Sequence, residues 1–217
     1  NIIGGYDIKI HDAPYQLSYG DTCGAVLIHN LWALTAAHCG SNFTYINVGN
    51  TKRLKGATVT IKSHFIHPLY QTDHKFDYDV QLLKLLRRLR FNKNVKAAVI
   101  SLDHGDSVYV SGWGYPKERG DYQETLQQVK VSLVPMSFCQ KVNNNWYNYT
   151  LTNRMFCAGG VGQDACQGDS GGGAVTMSGM LVGISSFGYG CGRGVPGVYI
   201  NVSDTGIRKW IREFAGV

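Results

Sequence analysis

Apolar residues in this chain fall in short runs bounded by turn residues, and runs of that length fit strands better than helices. In the first half they are Tyr15–Tyr19, Ala25–His29, Trp32–Thr35, Tyr45–Val48, Thr58–Ile61 and Val80–Leu86. In the second half they are Ser107–Trp113, Gln127–Val134, Met155–Ala158, Gly173–Met177, Met180–Ser186 and Gly197–Val202. Both halves therefore read as β-barrels or sandwiches. The polar stretch Asp103 to Ser107, with Gly105, is the best boundary between them and suggests units of 1–104 and 105–217. Helical spacing occurs twice. Ile207, Trp210, Ile211 and Phe214 lie at i, i+3, i+4 and i+7, predicting a docked helix over 203–214 with Ser203 or Asp204 as N-cap. Leu82–Leu89 has the same spacing but follows the strand-like DYDV, so a buried strand leading into a basic loop is expected there. Ala36–Cys39 suits a short helical turn after the Trp32–Thr35 strand.

Composition narrows the class. With 44% hydrophobic and 17% charged residues the chain can build a core and is not a disordered polyelectrolyte, and no apolar run is long enough to span a bilayer. Six cysteines, with sequons at Asn42, Asn148 and Asn201, favour a secreted, oxidised glycoprotein. Cysteine arithmetic alone does not pair them. The net charge of +6 is moderately basic, but no run of bases interleaved with aromatics marks a nucleic-acid binder. Residues 1–10 lack a long apolar core behind a basic start, so the chain reads as a processed form without a signal peptide.

Candidate chemistry concentrates in Asp164 to Gly173, DACQGDSGGG. Ser170 there is either a nucleophile or part of a glycine-rich surface turn. A serine nucleophile needs a base and a device that stabilises an oxyanion, and Gly168, Gly171, Gly172 and Gly173 permit a loop whose N–H groups converge beside Ser170. Among His11, His29, His38, His64, His67, His74 and His104, only His38 is well placed. It sits in TAAHC at the end of a strand-like segment, with small neighbours and Cys39 to anchor the turn. The competing reading is a half-buried histidine satisfied by backbone. A base needs a buried carboxylate to hold its tautomer. FDYDVQLLKL offers Asp79, which leads into the apolar strand, and Asp77, which is expected to stay solvated; either is otherwise an ordinary loop carboxylate.

IIGG at Ile2–Gly5, TAAHC at Thr35–Cys39, DYDVQLLKL at Asp77–Leu85, SGWG at Ser111–Gly114, GDSGG at Gly168–Gly172 and PGVY at Pro196–Tyr199 together resemble the trypsin/chymotrypsin serine peptidases, in the order His, Asp, Ser. The resemblance implies an all-β fold of two antiparallel six-stranded β-barrels, the site in the cleft between them and the C-terminal helix outside. It implies His38 as base, Asp79 as its orienter, Ser170 as nucleophile, and the backbone N–H groups of Gly168 and Ser170 as the oxyanion hole. Disulfides Cys23–Cys39, Cys139–Cys157 and Cys166–Cys191 follow from it. So does a substrate pocket with Asp164 at its floor, lined by Ser186, Phe187, Gly188 and Gly197, which accepts Arg and Lys side chains. An ion pair between the Ile2 amine and Asp169 is implied too; Asn1, while attached, locks that amine in a peptide bond. The chain departs from the family at Gly173, where a proline is usual, at Phe187, where Trp is usual, and in a short Cys191–Pro196 loop. Lys52, Arg53 and Lys55 occupy the family's calcium loop, so no metal or other cofactor is expected. Lys84, Arg87, Arg88, Arg90 and Lys93 form a solvated face or a basic exosite.

These features imply a secreted, monomeric endopeptidase that cuts proteins or peptides after Arg or Lys, is open to protein protease inhibitors, and has neither nucleic-acid nor membrane partners. SGWGY and FGYGC are similar to mite group 3 allergen trypsins, which include inactivated paralogues. An impaired paralogue that blocks a partner cascade such as complement is the alternative. A carbohydrate-binding β module has no support beyond β content.

Overall fold

The apolar runs become strands because most of them bury both faces, and only a sheet edge-paired on each side satisfies their backbone at the same time. The computed structural model describes residues 4–115, 121–142, 147, 150–160, 162, 169–188 and 194–217. The first seven strands are β1 (Tyr6–Asp7), β2 (Gln16–Tyr19), β3 (Cys23–His29), β4 (Trp32–Thr35), β5 (Tyr45–Val48), β6 (Ala57–Ile66) and β7 (Gln81–Leu85). The other six are β8 (Ser107–Gly112), β9 (Gln127–Val134), β10 (Met155–Ala158), β11 (Gly173–Val175), β12 (Leu181–Phe187) and β13 (Gly197–Asn201). Two helices, α1 (Met136–Cys139) and α2 (Thr205–Ala215), complete the fold. Strands β2-β3-β4-β7-β6-β5 close one antiparallel barrel, and β8-β9-β10-β13-β12-β11 close a second through the β8–β9 pairing.

The burial pattern explains the unbroken runs. On β3, Ala25 and Leu27 join Leu17, Ile46, Leu83 and Leu85 inside the first barrel. Val26 and Ile28 point the other way, into a cluster with Leu34, Leu82, Ile184 and Ile211 that lies outside both barrels. β6 behaves differently: Val59 and Ile61 are buried while Thr58, Thr60 and Lys62 face solvent, which gives ordinary alternation. This strand outruns its expected end at Ile61. Its register shifts between Ile61 and Ser63, and beyond that irregularity it continues to pair with β7 as far as Ile66. The ambiguous LLKLLRRL resolves as strand to Leu85, because β7 is paired by β4 on one side and β6 on the other.

Both ends of the chain cross to the other barrel. β1 pairs with β9, while Trp210 of α2 packs its ring on His67 and Phe214 packs on Trp32 and Phe65 of the first barrel. The helix starts two residues later than its spacing suggests. Ser203 is not free to cap it, because its N–H and hydroxyl both donate to Asn201 Oδ1. Asp204 is the cap, accepting from Gly206 N and Ile207 N. Among the described residues no helix is long and apolar enough to cross a membrane.

Candidate active site

Pairing of β4 with β7 sets Thr35 opposite Gln81, so the turn after β4 and the residues before β7 meet at one end of the first barrel. That turn is a single 3-10 turn, Ala37–Cys39, and the Cys23–Cys39 disulfide pins it to the start of β3. Asp79 is fully buried, and His38 has a quarter of its side chain exposed. Asp79 Oδ1 accepts from the His38 backbone N–H at 2.7 Å, and its Oδ2 lies 2.7 Å from His38 Nδ1. An ionised carboxylate only accepts, so Nδ1 carries the proton and Nε2 is left as an acceptor. Ser186 Oγ also donates to Asp79 Oδ2. Three donors on one buried carboxylate satisfy its charge and fix the imidazole ring. Sequence placed Ser186 on the pocket wall; its hydroxyl is directed to Asp79.

Ser170 reaches the same place from the second barrel, just before β11. Its carbonyl accepts from Gly24 N at 2.8 Å, and the Cys39 sulfur lies 3.9 Å away. The His38 turn and the serine loop are thus held by the same start of β3. Gly171 makes this approach possible. It adopts a left-handed φ of 82°, and a Cβ on it would stand 2.2 Å from Thr35 Oγ1 and 2.4 Å from the Gly24 carbonyl. The glycines read as suppliers of N–H groups therefore also allow backbone contact between the barrels. Gly173 does not loosen this segment. It is paired with Ile184 in β11, and Val26 fills the space where a side chain would stand.

Asp77 corrects one expectation: it is not solvated. It is fully buried and makes a bidentate pair with Arg154, Nε to Oδ1 at 2.9 Å and a terminal guanidinium nitrogen to Oδ2 at 2.7 Å. Thr152 Oγ1 and Tyr78 N donate to it as well. Burial alone pushes the carboxyl pKa up, but the hydrogen bonds from Arg154 and Thr152 and the guanidinium charge outweigh it, holding Asp77 below its usual value of 3.8. Arg154 also covers the Tyr78 ring at 4.7 Å. A group from the second barrel thus grips the segment that delivers Asp79. Phe76 and Tyr78 in that segment have φ of 67° and 51°, unusual for bulky residues and held by these contacts.

Phe76 stands edge-on to His38 at 5.8 Å and stacks on Phe187 at 4.7 Å. Phe187 meets Tyr147 edge-on at 5.9 Å, and Tyr147 hydroxyl donates to the Pro196 carbonyl. A Cβ on Gly188 would point at the Gly197 Cα, 3.7 Å away, so these two glycines face each other. Asp169, next to the serine, is buried; Gly114 N donates to its carboxylate, and a Cβ at Gly112 or Gly114 would collide with it. SGWG therefore uses its glycines to admit this acid. The Cys139–Cys157 bridge is also present. Ile2, Asp164, Cys166, Gly168 and Cys191, which the sequence reading assigned to the activation pair, the pocket, the third disulfide and the oxyanion hole, lie outside the described residues. Sequence reasoning missed Phe76 and Arg154. Phe76 had one signal, its place in FDYD; Arg154 had none.

Among the described residues, no group of three or more His, Cys, Asp or Glu side chains could hold a metal ion. The chain matches the Trypsin family over residues 2–211. It is 38% identical to Trypsin of Phaedon cochleariae, over 98% of this chain and 87% of that one. Identity to Trypsin-2 of Salmo salar is 35%, over 93% and 90% of the two chains, and to Trypsin 5G1 of Aedes aegypti 32%, over 100% and 85%. Two closed barrels, a histidine oriented by a buried aspartate and relatives that align nearly end to end leave one conclusion: the chain belongs to the trypsin family and is a serine endopeptidase.

Proposed function

We propose that the protein is a secreted endopeptidase that cleaves after Arg and Lys through an acyl-enzyme. The observation that carries this reading is the His38–Asp79 arrangement, in which Nδ1 is committed to the carboxylate and Nε2 can take a proton. On this reading Ser170 Oγ attacks the scissile carbonyl while its proton passes to His38 Nε2. The N–H groups of Gly168 and Ser170 receive the oxyanion. The imidazolium then gives its proton to the leaving amine, and water, activated by the same histidine, releases the acid and regenerates Ser170. Asp79 stays ionised and stabilises the imidazolium throughout. The amine of Ile2, once freed from Asn1, pairs with Asp169 and orders the oxyanion loop.

Specificity is assigned to Asp164 from the family resemblance. Gly188 and Gly197 lie side by side, and neither carries a side chain that could fill a slot beside them for a long base. A guanidinium pairs with a carboxylate through two hydrogen bonds, whereas an ammonium acts as a point charge, so Arg is preferred to Lys. Chromogenic amides of Arg, Lys and Phe test this. The wild type cleaves the Arg and Lys amides and not the Phe amide. Removing one partner of a buried charge pair costs about 2–5 kcal/mol, so Asp164→Ser lowers kcat/KM for the Arg amide by roughly thirty- to several-thousand-fold. Retained Arg selectivity in that variant would move the pocket floor elsewhere.

A further inference from the structure

The positive charge of this chain is not spread evenly. Residues 22–72 and 80–102 hold ten of its 21 Lys and Arg residues and none of its 15 Asp and Glu residues, so the remainder, with eleven bases against fifteen acids, is net negative. Strands β3 to β7 lie in those stretches, and the excess therefore sits on the first barrel. Two loops of that barrel, the β5–β6 turn and the segment after β7, enclose an open groove of about 380 Å³. Lys55, Arg87 and Arg90 line it, with Asn50, Asn92 and Asn94 between them and no carboxylate.

Neighbouring bases are used within the protein. Lys52 pairs with Glu124, Arg53 donates to the Asp21 carbonyl and covers the Tyr122 ring, and Arg88 donates to Asn30. Lys55, Arg87 and Arg90 are different. All three are exposed, and among the described residues none of their side chains has an ion-pair or hydrogen-bond partner. Asn92 and Asn94 likewise keep their side-chain amide donors free of protein acceptors. Three like charges held along one groove repel one another, and an anion bound there relieves that repulsion.

We infer that this groove is a binding site for a sulfated polysaccharide. Guanidinium and ammonium groups suit sulfate oxygens, and amide donors suit sugar hydroxyls. An acidic peptide would want a buried anchor for an apolar side chain, and single-stranded nucleic acid an aromatic platform; the groove is open, and no aromatic ring lines it. The groove uses the segment after β7, whereas Asp79 precedes that strand, and the inference does not rest on the proteolytic reading.

The test uses the whole protein with Ser170→Ala to prevent self-digestion, and titrates it calorimetrically with a heparin octasaccharide over a range of salt. Two triple variants are compared, Lys55→Gln/Arg87→Gln/Arg90→Gln in the groove and Lys130→Gln/Lys209→Gln/Arg212→Gln elsewhere, with circular dichroism to establish that each is folded. The groove variant is expected to bind at least tenfold more weakly, and its plot of log affinity against log salt to be shallower by about two, as expected for loss of three charge contacts. The second variant, with the same change in net charge, keeps most of its affinity. Equal losses in both would reduce the binding to net charge and overturn the site. Tighter binding of poly-glutamate or oligothymidylate than of the octasaccharide would overturn the ligand class.

Discussion

Asp79→Asn is expected to lower kcat by about ten-thousand-fold while leaving KM and the fold nearly unchanged. The direction follows from proton placement. Asp79 faces three donors, the His38 backbone N–H, His38 Nδ1–H and Ser186 Oγ–H, and offers acceptors to all of them. An asparagine has one acceptor oxygen and one NH2 group. With its oxygen kept on the His38 backbone, the NH2 meets Nδ1, which must then lose its proton and accept. The proton moves to Nε2, the atom that the proposed mechanism needs empty to take the proton of Ser170. Ser186 turns to accept instead, so no buried polar group is stranded and the protein still folds. Steady-state kinetics on an Arg amide read the effect. Loss of KM alone, with kcat preserved, would mean that Asp79 shapes the cleft and does not orient the base.

Arg154→Ala is expected to be the most destabilising single change outside the core. It leaves Asp77, fully buried, without its bidentate partner. Breaking a buried pair from one side costs about 3–5 kcal/mol, which for a chain of this size lowers Tm by roughly 6–20 °C. The pH dependence has a definite sign. In the wild type the Asp77 carboxyl is held below 3.8, so its contribution is complete above that value and is lost as pH falls through the lower folded pKa. Without Arg154, burial dominates and raises the folded pKa above the unfolded one. The variant then recovers stability as pH falls and Asp77 protonates, and its deficit against the wild type narrows in acid. Thermal melts between pH 3 and pH 7 check this; the interval is chosen to bracket the carboxyl range. A deficit independent of pH would assign the loss to packing of Arg154 on Tyr78 instead. The double variant Asp77→Asn/Arg154→Ala should cost less than the sum of the single changes, since it leaves no unpaired charge.

Legibility in the sequence followed the range of the interaction. Strands such as Trp32–Thr35 and Gln127–Val134 were readable to the residue because their apolar content and flanking turn residues are local. Even LLKLLRRL, whose spacing is helical, could be placed as a strand from the DYDV before it. The His38 turn and Asp79 were readable because the strands that follow or precede them carry them to one end of a barrel. Asp77 was misjudged. Its partner Arg154 is 77 residues away, on the other barrel, and no local pattern distinguishes a carboxylate that will meet a distant guanidinium from one that will stay in water. Ser186 was placed beside the site, but its hydrogen bond to Asp79 was not foreseen, because a hydroxyl's direction depends on the backbone of β12, whose register shifts between Ser185 and Phe187. The crossing of the termini, β1 onto β9 and α2 onto Trp32 and Phe65, was invisible for the same reason: pairing across the whole chain leaves no periodicity.

On the proposed mechanism Ser170 is a nucleophile activated by His38. The most direct measurement is incubation of the protein, with its N-terminus processed to Ile2, with a fluorophosphonate probe, followed by peptide mapping of the label and parallel cleavage of an Arg amide. One label per chain is expected, on Ser170, incorporated in step with loss of amidase activity, with labelling slowed by orders of magnitude in Asp79→Asn. A folded protein that takes no label and cleaves no amide, or one labelled at another residue, would contradict it.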